Sequence, residues 1–192
     1  MNSIKGTKTE KNLLAAFAGE GQARNRYTFW ASKARKEGYE QIAAIFELTA
    51  NQEKEHAERF FKFLEGGDVE AKGTWPAGVI GSTLENLQEA ARGEHEEGEI
   101  LYPAFAEVAQ KEGFDQIAHV FLSVSVAERA HKKRYQELAE NIRQGRVFER
   151  ESEETVWQCR NCGYVHIGRR PPEKCPSCDH AKAYFELKMH NW

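Results

Sequence analysis

The chain has 192 residues, enough for one medium domain, or for a medium domain and a small one. Hydrophobic residues make up 40%, charged residues 30%, and the net charge is −3 with no sustained basic run, which argues against nucleic acid as the main partner. No run of about 18 apolar residues is present to span a membrane, and the first eight residues lack the apolar stretch of a signal peptide, so a cytoplasmic, reducing location is expected.

Helical periodicity predicts helices over about Thr9–Lys36, Tyr39–Glu65, Ser82–Lys111 and Phe114–Arg143. The segment from Lys36 to Phe46 recurs from Lys111 to Phe121. The repeat continues through Glu53 and Glu128, His56 and His131, Phe60 and Tyr135. Two copies of a helical hairpin follow from this, with Gly38 and Gly113 at the turns. Between the copies, Gly66, Gly67, Gly73, Pro76, Gly78 and Gly81 break any helix, so this stretch reads as a long crossover. The expected fold is mainly α: a ferritin-like four-helix bundle with one long crossover. After Gly145 the composition changes to short-strand and turn patterns. The boundaries expected are 1–145 for the bundle, 146–154 for a linker and 155–192 for a small metal-bound β domain.

The apolar stripes of the second and fourth helices are each interrupted by a Glu-x-x-His pair, Glu53 with His56 and Glu128 with His131. Residues at i and i+3 lie on one helix side, so each pair can offer an oxygen and a nitrogen to one centre. Glu20 stands within the stripe of the first helix, and Glu94 and Glu97 within that of the third. Ionised carboxylates on core faces are costly unless paired or bound to metal, and no Lys or Arg shares these stripes. Two divalent cations would compensate them, and mixed oxygen and imidazole donors suit iron or manganese. A single Glu-x-x-His would be an ordinary solvated face. Two copies at one repeat offset, each with an upstream Glu, are a metal site. His95 and His119 are left outside it.

Glu97 has no counterpart in the first half, where Ala23 follows Glu20 by three residues; it shares the face of Glu94 and reads as a further ligand. Glu20 to Tyr27 is seven residues but Glu94 to Tyr102 is eight, and Pro103 follows. Pro103 cannot donate to the carbonyl of Glu99. An extra helical residue beside a functional site and a proline predicts a π-bulge. Tyr27 and Tyr102 lie one to two turns beyond the glutamates, within reach of donating hydrogen bonds to ligand carboxylates; the alternative is plain core aromatics.

All four cysteines fall in two Cys-x-x-Cys knuckles, Cys159 with Cys162 and Cys175 with Cys178. Two knuckles make a tetrahedral thiolate cage that accepts zinc or iron. Gly163-Tyr164 after the first knuckle and Cys175-Pro176 in the second favour the rubredoxin type over a zinc ribbon.

Over essentially its whole length the chain resembles the rubrerythrin family. The resemblance implies a non-haem di-iron centre that reduces hydrogen peroxide to water. It also implies an iron in the four-cysteine site that relays electrons from a separate NAD(P)H-linked reductase or small electron-transfer protein. Bridging carboxylates match Glu53 and Glu128, and terminal ligands match Glu20, Glu94 and His131. Glu97 and His56 match the pair that exchange at one iron as its oxidation state changes. Homodimers or larger homo-oligomers are implied as well, and the loop between the knuckles should be shorter than in free-standing rubredoxins. Two rivals are an oxygen-using iron-storage relative and a non-catalytic module with a zinc ribbon.

Overall fold

Helix α1 spans Lys8–Lys36 and starts where the Thr7 hydroxyl accepts a hydrogen bond from the Glu10 amide at 3.1 Å. It stops at Gly38, whose φ of +82° only glycine adopts readily; the Tyr39 amide then reaches the Ala34 carbonyl at 2.9 Å. The same stop recurs at Gly113, with φ +83° and the Phe114 amide 2.8 Å from the Ala109 carbonyl. The repeated Lys-Glu-Gly is therefore the hairpin turn in both halves. Helix α2, Glu40–Phe61, returns against α1. Helix α3 (Thr83–His95), a π-helical turn (Glu96–Leu101) and helix α4 (Tyr102–Lys111) follow one another directly, and α5, Asp115–Arg143, returns against them. The computed structural model describes residues 3–190, so the outermost residues of the expected domain ranges, 1–2 and 191–192, lie outside it.

Helix α2 ends at Phe61, short of the expected Glu65. The Phe63 and Leu64 amides turn back to the Phe60 and Phe61 carbonyls at 3.2 and 3.0 Å. The Glu65 carboxylate instead accepts from the Ser3 hydroxyl at 2.6 Å and the Ile4 amide at 3.0 Å, pinning the start of the chain to the end of α2. The crossover then runs without regular structure to a capping box at Ser82 and Glu85, held to α1 by the Trp30 indole donating to the Val79 carbonyl at 3.1 Å.

Two apolar clusters fill the bundle. One gathers Tyr27, Trp30, Phe46, Leu87 and Tyr135, the other Leu13, Phe60, Tyr102, Phe121 and Val124. Four buried glutamates lie between the residues of the two clusters: Glu20 on α1, Glu53 on α2, Glu94 at the end of α3 before Tyr102 of α4, and Glu128 on α5. The acids thus form a layer sealed on both sides by packed apolar side chains.

The extra residue of the second repeat is absorbed where the spacing predicts. The Tyr102 amide bonds to the Glu97 carbonyl, five residues back rather than four. In this register the bond that Pro103 cannot make is to Gly98, not to Glu99 as the α-helical register predicts. Arg129 supplies it from α5, its guanidinium donating to the Gly98 carbonyl at 3.0 Å. Gly98 also permits close approach: a Cβ there would lie 3.0 Å from the Glu128 Cβ and 3.2 Å from the Ser125 carbonyl.

The C-terminal part forms a three-stranded antiparallel sheet, β1 (Val156–Cys159), β2 (Val165–Ile167) and β3 (Phe185–Leu187), in the order β2-β1-β3. Its small core is Trp157, Cys159, Cys175 and Phe185. It rests against the first hairpin turn, where Phe148 stacks on Tyr39 with ring centres 6.2 Å apart.

If Arg129 stands in for the donor that Pro103 lacks, the two positions must be energetically coupled. Arg129→Met should cost about 1.5 kcal/mol by orphaning a part-buried carbonyl. In a Pro103→Ala background, which restores a backbone N–H, the cost should fall below about 0.5 kcal/mol. Urea unfolding of the four proteins in the cycle measures this; equal costs in both backgrounds would refute it.

Candidate metal centres

Donor atoms converge in the acidic layer as two groups. Glu20, Glu53, His56 and Glu128 offer atoms within 4.8 Å of one another, and so do Glu53, Glu94, Glu128 and His131. Glu53 and Glu128 belong to both groups. The His56 Nδ1 is 2.9 Å from Glu128 Oε1 and 3.0 Å from Glu53 Oε2; the His131 Nδ1 is 2.9 Å from Glu128 Oε2 and 3.3 Å from Glu53 Oε1. The imidazole rings face each other at 6.0 Å between centres. Two hydroxyls close the layer crosswise: Tyr27 donates to Glu94 Oε1 at 2.6 Å and Tyr102 to Glu20 Oε1 at 2.5 Å. Each tyrosine thus orients the glutamate of the other half. Burial, with the neighbouring carboxylates, pushes both phenols well above their usual range and keeps them as donors.

In the small domain the Cys159 and Cys178 sulfurs are 3.8 Å apart and those of Cys162 and Cys175 3.6 Å. Metal–sulfur bonds of about 2.3 Å in a tetrahedron give edges of about 3.8 Å, whereas a disulfide needs about 2.05 Å. All four thiols are free and mutually close. The His180 amide donates to the Cys178 sulfur and lowers that thiol to about 6, whereas burial pushes the Cys159 thiol up to about 11.

Both regions match known families. The rubrerythrin family model matches residues 11–139, and the model for the rubrerythrin rubredoxin-like domain matches residues 157–186. A rubrerythrin from Porphyromonas gingivalis is 60% identical over 190 residues, covering 99% of this chain and 94% of that one. A rubrerythrin from Nitratidesulfovibrio vulgaris is 56% identical over 192 residues, covering all of both chains. The chain belongs to the rubrerythrin family. Among solved structures, fully reduced nigerythrin superposes with a TM-score of 0.63 at 35% identity, covering 97% of this chain and 92% of that one. As in rubrerythrins generally, the bundle carries a ferritin-like di-iron site of carboxylate and histidine groups, and the C-terminal domain a four-cysteine rubredoxin-like site. Rubrerythrins are oxidoreductases. No helix among the described residues is long and apolar enough to cross a membrane.

The chain's own atoms fit the iron pair. Glu20 Oε2, Glu53 Oε1, Glu94 Oε2, both oxygens of Glu128 and Nδ1 of His131 are buried with no hydrogen-bond partner among the described residues. His131 Nδ1 lacks one despite its 2.9 Å approach to Glu128, so the two atoms point at a shared centre rather than at each other. Burial, with the mutual repulsion of the acids, raises Glu20 to about 8 and Glu128 to about 7, and Glu53 shifts the same way. Burial alone would lower His131, but its carboxylate neighbours outweigh this and hold it up at about 11.

Of the bundle metal ligands expected from sequence, Glu97 alone joins neither group. Its carboxylate lies against Gly19, with Oε1 3.3 Å from where a Cβ would stand. Burial, then repulsion from Glu20, raises its pKa well above the carboxylate range. Sequence reasoning missed three contributors. Arg129 caps the π turn; its repeat counterpart is the exposed Lys54, so the repeat gave no signal. Arg134 donates to the Thr49 hydroxyl at 2.7 Å in the neighbouring core. Trp75 lines a cavity beside Glu97, and a lone indole in a glycine-rich crossover was a usable clue.

Tyr102→Phe keeps the packing but leaves Glu20 Oε1 without its donor. Iron affinity at the bundle site should fall about 10- to 100-fold. Competition with a chelator measures this, and an unchanged affinity would show that the hydroxyl is only a core filler.

Metal-free protein must hold protons where the cations belong. Since Glu20 and Glu128 are raised in the folded state, the folded chain binds more protons than the unfolded one from the ordinary carboxylate range up to about pH 8, and its stability falls as pH rises through that window. His131, also raised, has the same sign at higher pH. The melting-temperature gap between iron-loaded and chelator-stripped protein should therefore widen from pH 6 to pH 8; a constant gap would contradict the assignment.

Proposed function

We propose that this chain is a non-haem di-iron peroxidase that reduces hydrogen peroxide to water, with electrons relayed through the four-cysteine iron, in defence against oxidative stress. The observation that supports it most is the pair of donor groups sharing Glu53 and Glu128, with one further buried carboxylate, Glu97, just outside. Cleaving peroxide to two waters takes two electrons and two protons, and a ferrous pair supplies one electron from each iron.

In this reading Glu20, Glu53, His56 and Glu128 would hold one iron, and Glu53, Glu94, Glu128 and His131 would hold the other. Tyr27 and Tyr102 fix the rotamers of the terminal glutamates through the hydroxyl bonds described above. Four carboxylates balance two ferrous ions, with His56 neutral. Where the charge at the centre is higher, Glu97 would supply a further anion in place of neutral His56. Apolar packing above and below the acids keeps bulk water out and strengthens each of these electrostatic interactions.

Cys159, Cys162, Cys175 and Cys178 would hold the iron that relays electrons one at a time. The chain has no Gly-x-Gly-x-x-Gly, so the NAD(P)H-derived electrons come from a separate reductase or small electron-transfer protein. The bundle (1–145), linker (146–154) and rubredoxin-like domain (155–192) work as one chain within a homodimer or larger homo-oligomer in the cytoplasm.

The test is stopped-flow mixing of fully reduced protein with peroxide and, separately, with dioxygen. Peroxide should oxidise the centre at least tenfold faster; the reverse order would favour an oxygen-using storage protein. Glu97→Ala should retain iron yet lose at least tenfold in peroxide turnover, and full turnover would remove Glu97 from the mechanism.

A further inference from the structure

Helix α1 contains a glycine that its backbone does not require. Gly19 is buried mid-helix, one residue before Glu20, where alanine is the better helix former. What the position lacks is room. A Cβ on Gly19 would lie 3.3 Å from Glu97 Oε1 and 3.9 Å from Trp75 Nε1.

The internal repeat supplies a comparison. Gly93 precedes Glu94 as Gly19 precedes Glu20, yet a Cβ on Gly93 would meet nothing within 4 Å. The halves differ in what faces the glycine: Ala23 stands where the second half has Glu97, so the first half offers no carboxylate to accommodate. Trp75 is fitted in the same way. Its indole lies across Gly73, where a Cβ would come within 2.8 Å of the ring. Gly19, Trp75 and Glu97 line one cavity of about 550 Å³ between α1, the crossover and the π turn.

We propose that Gly19, beside Trp75 in this cavity, leaves open the seat of the Glu97 carboxylate when it is not a metal ligand, and so acts as a positioning residue that sets how readily Glu97 exchanges with His56. The proposal rests on the exchange described under the proposed function. A group that touches only one of two states shifts the balance between them. Filling the seat disfavours withdrawn Glu97 and drives it toward the metals. An added anionic ligand favours the ferric state, so the midpoint potential of the di-iron centre falls.

The test is a redox titration of the iron-loaded, full-length protein, followed by visible absorption. Gly19→Leu should shift the ferric-to-ferrous ratio at a given potential at least tenfold toward ferric, a fall of about 59 mV for a one-electron couple. Gly19→Ala, which helix propensity favours, should shift it in the same direction by less, and it carries the test if leucine disturbs iron binding. Gly21→Leu is the matched control, since a Cβ on Gly21 meets nothing within 4 Å, and it should leave the potential in place. In a Glu97→Ala background the Gly19→Leu shift should vanish. A shift that persists there, or Gly19 variants that match the Gly21 control while Glu97→Ala alone moves the potential, would overturn the seat and leave the exchange standing. If Glu97→Ala alone moves nothing, the exchange fails and the seat fails with it.

Discussion

Four glutamates buried in one layer, with no lysine or arginine among them, set the terms for the rest of the bundle. Carboxylates taken out of water either take up protons or find cations. Here the tyrosine hydroxyls satisfy one oxygen each of Glu20 and Glu94, and the remaining oxygens point at shared centres. The apolar clusters on either side fix the helices tightly enough that this convergence is not relaxed by rotation of the side chains. The packing that stabilises the bundle is therefore also what makes the acids available to metal.

The same constraint explains the irregular segment. One added residue between Glu94 and Tyr102 would rotate everything after it by about 100° in a continuous α-helix. Confining it to a π turn lets Glu94 face the metal layer and Tyr102 reach Glu20 at 2.5 Å. The register change strands the Gly98 carbonyl opposite Pro103, and the Arg129 guanidinium meets it. Gly98 brings the turn close to the backbone of α5 beside Glu128. A local irregularity, a proline, a glycine and an arginine thus form one device.

Much of this was legible in the sequence because the repeat wrote it twice. Glu53-x-x-His56 and Glu128-x-x-His131 identified each other, and the one-residue difference in spacing located the π turn. The two knuckles declared the thiolate cage by spacing alone. What was not legible depends on contacts between residues distant in the chain. That Tyr27 serves Glu94 and Tyr102 serves Glu20, rather than each its own helix, follows only from how the hairpins cross. Beyond the end of α2, Glu65 holds the start of the chain through bonds that span 61 and 62 positions. The register that moves the orphaned carbonyl from Glu99 to Gly98 needed the observed hydrogen bonds.

The π turn has one more consequence. The hairpins are near-copies, and two such copies would build a centre whose halves are interchangeable. The inserted residue and the Glu97 carboxylate end that equivalence: Glu97 lies toward the Glu20 side and Gly19, while the opposite side has only Ala23 in the matching place. The first electron to reach a fully oxidised pair would therefore meet two unequal acceptors. The valence would be trapped on one ion rather than shared between them.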